Sequence, residues 1–209
     1  MKTVADFEDF ITLSAPDAGS VVLQHVTREA IVRFMRESQI ILDILCVEGQ
    51  CGVVDYPLQM PECRNLVGIE SVAIGDLSDI TEFPEYATGV KFRDWHKDDR
   101  HNAIVLHHDP KEGTPIRVLY SWAIQRDDCE VPDAIYEEWM EAVKAAALAE
   151  LLLMPKQEWT SPGTAALQET RYQVELRRAK NRRWSNYSRG PLLMQGAPFI
   201  RSRRGGGLF

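Results

Sequence analysis

PDAIYEEWMEAVKAAALAELLLMPKQEWTSPGTAALQETRYQVELRRAKNRRWSNYSR, residues 132–189, holds the longest helical pattern in the chain. It reads as two helices joined by a short turn. Pro132 suits a first-turn position, where its missing amide is not needed, and Asp133 caps free amide groups. Ile135, Trp139, Ala142, Val143 and Ala146 then recur at helical spacing on one face. Tyr136, Met140, Ala147, Leu151 and Met154 form a second stripe, so the later half (AAALAELLLM) is apolar nearly all round. Such a helix must be covered from several sides, by its own domain or by another subunit. Pro155 stops it, because proline donates no amide and restrains the residue before it. Ser161 and Pro162 open the second helix, in which Ala165, Glu169, Tyr172, Leu176, Ala179 and Arg183 repeat at three-and-four spacing. That seam is narrow. The expectation is a helical hairpin with one buried arm and one solvent-edged arm.

Upstream, Pro16 and Asp17 open a long helix that runs to about Ser38. Val22, Val26, Ala30 and Phe34 recur every fourth residue, flanked by Ile31 and Met35, and make a broad apolar face. Arg28, Arg33 and Arg36 lie off that stripe and are expected in solvent. After Ser38 the period changes: QIILDILCVEG reads as a buried strand. VVDYPL and MPECRNLVGIESVAIGDLSDI read as short strands broken by turns. Residues 82–102 are polar and irregular, whereas NAIVLHHD and PIRVLYSWAIQ alternate and suggest a hairpin. The expected class is α+β. One N-terminal helix and a C-terminal helical hairpin form a bundle, with an inserted antiparallel β meander and an extended C-terminal arm. The expected segments are 1–40, 41–128, 129–189 and 190–209.

Composition sets the outer limits. The 209 residues are 44% hydrophobic and 26% charged, as in a folded water-exposed domain. No apolar run approaches the roughly 20 residues of a membrane span, so no membrane partner is expected. The acidic start MKTVADFEDF has no apolar signal-peptide core, which points to a cytoplasmic origin. Four cysteines (Cys46, Cys51, Cys63, Cys129) match no disulfide framework and read as reduced thiols, with Cys46 a buried small hydrophobe.

Charge is unevenly placed. From Arg171 to the C-terminus there are ten basic residues and one acidic, a net +9, while the preceding 170 residues carry 14 basic and 30 acidic, a net −16. The basic end is suited to something negative: nucleic acid, an acidic partner or the body of a neighbouring copy. Arg177, Arg178, Lys180, Arg182 and Arg183, with Trp184 and Tyr187 close by, could hold phosphates and stack on bases. Nothing beside them would read base edges, so such binding would be sequence-independent. The last 22 residues, SRGPLLMQGAPFIRSRRGGGLF, hold two prolines and five glycines between apolar clusters and read as an arm that orders on a partner.

Catalytic signatures are weak. DWHKDDRH (Asp94 to His101) places carboxylates beside histidines, but in a polar stretch without the pocket that tunes such groups. His96 and His101 are five apart, and the neighbours His107 and His108 point to opposite faces of a strand, so four converging metal ligands are not expected. No phosphate-binding glycine loop or nucleophile elbow is present. The reading is therefore of a non-enzyme without cofactor.

Two stretches together carry a resemblance. The first, PDAGSVVLQHVTREAIVRFMRESQIIL, has an R-E-A-x-x-R-F core (Arg28, Glu29, Ala30, Arg33, Phe34). The second has V-P-x-x-I (Val131, Pro132, Ile135), the small run Ala145–Ala147 followed by Leu148 and Ala149, then Leu153-Met154-Pro155, Trp159 and Pro162. Over roughly residues 15–185 the chain resembles the head-to-tail adaptor (head-tail connector) family of bacteriophages. It departs from that pattern at Met35, where a cysteine is common, and in the KQEW turn, where a glycine is common. The resemblance implies a structural virion protein at the head-tail junction, made in the host cytoplasm. It would form a homo-oligomeric, usually dodecameric, ring between the portal protein and the tail tube or nozzle protein, with genomic DNA in the lumen. In that reading Trp139, Val143, Leu151 and Met154 pack between subunits. Phe199, Ile200, Arg201, Arg203, Arg204, Leu208 and Phe209 anchor the arm on the portal or a neighbour. The alternative is a sequence-nonspecific nucleic-acid-binding protein using Arg177–Arg183.

Overall fold

A computed structural model describes residues 2–74, 95–98, 102–125 and 130–187. In chain order the elements are α1 (Ala5–Thr12), α2 (Ser20–Ser38), β1 (Leu42–Glu48), β2 (Asp55–Pro57) and β3 (Arg64–Ile74). They continue with β4 (Trp95–Asp98), β5 (Ala103–Leu106), β6 (Pro115–Ile124), α3 (Asp133–Leu151) and α4 (Pro162–Tyr187). The hairpin expected from 132–189 is present as α3 and α4.

The class is α+β, but the expected layout of one N-terminal helix, a hairpin and a single meander is not what the chain builds. An extra helix, α1, precedes α2, and the described strands form two three-stranded antiparallel sheets, ordered β1-β6-β3 and β2-β5-β4. α1 escapes a periodicity reading because eight residues bury only Phe7 and Ile11. Local and tertiary contacts hold it instead. The Asp6 carboxylate accepts from the Thr3 amide (2.6 Å) and hydroxyl (2.9 Å), which ties the first turn to the residue before the cap. Phe7 meets Tyr136 of α3 edge-on at 5.2 Å, and Lys2 and Val131 exchange backbone hydrogen bonds.

β5 and β6 do not form a hairpin. β5 pairs with β2 and β4, whereas β6 runs between β1 and β3. Their connection is tied to the end of β1: the Gly49 amide donates to the Thr114 carbonyl (2.7 Å), and the Gly113 amide donates to the Gly49 carbonyl (2.9 Å). Gly113 sits at φ 72°, a left-handed conformation that turns the chain between sheets. A Cβ on Gly49 would stand 2.9 Å from the Thr114 oxygen and 3.1 Å from the Pro110 Cβ. Gly49→Ala is therefore expected to cost about 1–3 kcal/mol in urea unfolding, the range for forcing an atom into a filled space.

β6 explains how the layers join. Packed against the helices and against the second sheet, it is buried along most of its length, so PIRVLYSWAI reads as a nearly continuous apolar run. Tyr120, Trp122 and Ile124 belong to the core with the helices, while Ile116 and Val118 pack with Tyr56, Leu58, Trp95, Ile104 and Leu106 of the second sheet. β1, expected to be buried, is an edge strand with Ile44, Cys46 and Glu48 exposed. Cys46 is thus a surface thiol, as is Cys51. Cys63 is disulfide-bonded, so the four thiols are not all reduced.

Candidate subunit and partner interface

The apolar surplus of α3 is met inside the chain. Trp139, Val143 and Leu151 are at most 2% exposed in the single chain, and Met154 is half-buried against the same core. Phe34 of α2 lies 5.7 Å from the Trp139 ring. Alanines 142, 145, 146 and 147 are buried with them, the small side chains letting neighbouring elements approach. Of the two covers that an all-round apolar helix admits, its own domain supplies the one seen.

α4 is the solvent-edged arm. Ala165, Tyr172, Leu176 and Ala179 form its buried seam. Glu169 and Arg183, on the same seam, carry polar links to the rest of the body. Arg33 of α2, expected in solvent, instead donates two bonds to the Glu169 carboxylate (3.2 and 2.8 Å) and one to Glu37 (3.1 Å). Its guanidinium lies 4.4 Å over the Tyr172 ring, and the Tyr172 hydroxyl donates to Glu37 at 2.8 Å. The bond from Arg33 holds the Glu169 carboxyl below its ordinary range, chiefly through that contact and against partial burial. A lowered carboxyl stabilises the fold at neutral pH, and that contribution drains as pH falls through the acid range.

The basic run Arg177–Arg183 is partly spent on the protein's own body. Arg178 pairs with Glu175 (3.3 Å), and its guanidinium stands 5.7 Å from the Trp139 ring centre. Arg182 pairs with Glu138 at 2.5 Å and sits 6.0 Å from the same ring. Arg183 donates to the Gln39 side chain at 2.7 Å and forms an ion pair with Glu70 of β3. Arg177 and Lys180 are exposed. Three of the five cations named for phosphate contact thus pair with acidic residues, and two of them, Arg178 and Arg182, cover Trp139, a use that charge counting along a sequence cannot separate from binding.

What α4 leaves outward is mixed. Leu167 and Val174, seven residues apart on one face, are 64% and 57% exposed, with the exposed Arg171 between them. Beside them a groove of about 410 Å³ is lined by Ser14, Glu141, Lys144, Gln168, Arg171 and Val174, among others. Leu13, 83% exposed, adjoins Ser14 at the end of α1. Sequence reading missed this surface because its walls come from separate parts of the chain, Ser14 after α1 and residues of α3 and α4, which only the tertiary packing brings together.

The arm residues Phe199, Ile200, Arg201, Arg203, Arg204, Leu208 and Phe209 lie outside the described residues, as do Cys129, His101 and Asp99. The acidic stretch expected as a loop contains β4, which carries His96 against His107 across from β5, a pairing that linear spacing gave no sign of. Among the described residues no group of three or more histidine, cysteine or carboxylate side chains converges to hold a metal. No helix among them is long and apolar enough to cross a membrane. Compared with protein-family models and with curated proteins, the chain matches none.

Proposed function

We propose that this protein is a structural, non-enzymatic subunit of a head-to-tail adaptor ring, docked beneath a phage portal and above the tail tube or nozzle. The observation that carries the reading is where the two motif stretches meet. Arg33 and Phe34 of the R-E-A-x-x-R-F segment touch Glu169, Tyr172 and Trp139 of the hairpin. Val131 and Ile135 of V-P-x-x-I are buried in the same core. Residues that would be arbitrary in separate places make one framework, as expected of packing motifs. Because Trp139, Val143 and Leu151 are consumed by that framework, contact between copies falls to the outer face of α4, its groove and the basic arm. A +9 end against a −16 body favours head-to-tail contact between neighbours, because each copy presents both signs. The ring would surround genomic DNA without reading its sequence.

Truncation tests the arm. A chain ending at Gly190 removes three of the ten basic residues (Arg201, Arg203 and Arg204) and all the apolar clusters that follow, yet leaves every described element intact. It is expected to fold normally by circular dichroism and to lose co-sedimentation with portal rings by at least tenfold. Undiminished co-sedimentation would show that the arm is not the portal anchor.

A further inference from the structure

β4 and β5 pair with Trp95 opposite Leu106 and His96 opposite Val105. Side chains alternate along a strand, so Trp95, Ile104 and Leu106 share the face packed into the second core. His96, Val105 and His107 share the other face. Diagonal neighbours across an antiparallel pair stand about 7–8 Å apart at their backbones, within reach of two imidazoles turned toward each other. His96 Nδ1 lies 3.3 Å from His107 Nε2, with ring centres 5.5 Å apart, and both residues are exposed.

We propose that His96 and His107 form a two-imidazole chelate for a borderline divalent transition cation, of the class of Zn²⁺, Ni²⁺ and Cu²⁺. Two nitrogens bound at about 2.0–2.1 Å to one tetrahedral ion are about 3.3 Å apart, which follows from the tetrahedral angle. The observed nitrogen separation is the same. Along that line one ring donates its N–H to the facing nitrogen of the other; on metal binding that proton passes through water to the outer nitrogen of the same ring, so that both facing lone pairs reach the cation. Binding then uses Nδ1 of His96 and Nε2 of His107, with one hydrogen on the outer nitrogen of each ring. The strands hold the geometry, because Trp95 and Leu106, next to the two histidines, are only 6% and 3% exposed. Imidazole favours this class of metal, whereas Mg²⁺ and Ca²⁺ prefer oxygen. Since no third ligand joins among the described residues, the remaining positions are open to water or to a donor from a bound partner. The result is an exchangeable surface site, unlike a closed four-ligand one.

The test is calorimetric titration of full-length, tag-free protein with Ni²⁺ and with Zn²⁺, alongside His96→Ala, His107→Ala and His108→Ala. Histidine ring-proton spectra report which side chains move. Saturable binding is expected, weakened at least tenfold by either His96→Ala or His107→Ala. His108→Ala, beside the pair in sequence, should leave it unchanged, and circular dichroism should show all three variants folded. No binding at millimolar metal would overturn the proposal, as would binding that survives His96→Ala or His107→Ala, or that moves with His108.

Discussion

Trp139→Ala is expected to lower the unfolding free energy by about 3–5 kcal/mol, the range for truncating a large buried aromatic side chain. Trp139 sits where three elements meet. Its ring is 2% exposed, faces Phe34 of α2 and carries the guanidinium groups of Arg178 and Arg182 from α4. Alanine leaves a cavity between helices that cannot close, because α3 is already packed through alanines on its neighbouring positions. It also strips the aromatic cover from two arginines, although their exposed ion pairs with Glu175 and Glu138 contribute little alone. Urea unfolding followed by circular dichroism measures the change. A loss below about 1 kcal/mol, typical of a surface substitution, would mean that Trp139 is not at the centre of the core.

Tyr172 gives the second large effect. It is fully buried and joins α4 to α2 through its ring under Arg33 and its hydroxyl on Glu37. Tyr172→Ala should cost about 3–5 kcal/mol, again as aromatic truncation. Tyr172→Phe keeps the ring and removes only a hydrogen bond to a carboxylate, for which about 1.5–3 kcal/mol is an upper range because Glu37 remains bound to Arg33 and part-exposed. The two variants separate packing from polarity. Alkaline pH separates them further. Burial, then the Glu37 carboxylate, pushes the Tyr172 hydroxyl up from its ordinary value. A group raised in the folded state adds stability below its unfolded pKa, about 10, and loses it as pH climbs beyond. Tyr172→Phe should therefore flatten part of the stability loss that the parent shows above about pH 10.

The helices were readable where periodicity was long. α2, α3 and α4 each repeat apolar residues over several turns, and proline or serine marks the starts of α3 and α4. α1 was not, because two buried side chains make no period. Strand positions were also largely readable, but their pairing was not. Two alternating segments joined by a loop with Pro110 and Gly113 look like a hairpin, and only the Gly49 hydrogen bonds, over sixty residues away in sequence from Gly113, direct them into different sheets. Cys46 shows the same limit: QIILDILCV has the composition of a central strand, yet it lies at an edge because β6 claims the centre. For the candidate interface, the sequence located the basic run but could not show that Arg183 reaches Glu70 and Gln39. The His96 and His107 contact likewise depends on register between strands.

Assembly into a ring on the portal can be seen by particle imaging. Two-dimensional averages would be taken of the purified full-length protein alone and after mixing with the portal rings of the same virus. Closed rings of this protein stacked coaxially on the portal are expected, whether or not the protein forms rings unaided. A protein that stays monomeric on its own and adds no density to portal rings would contradict that assembly.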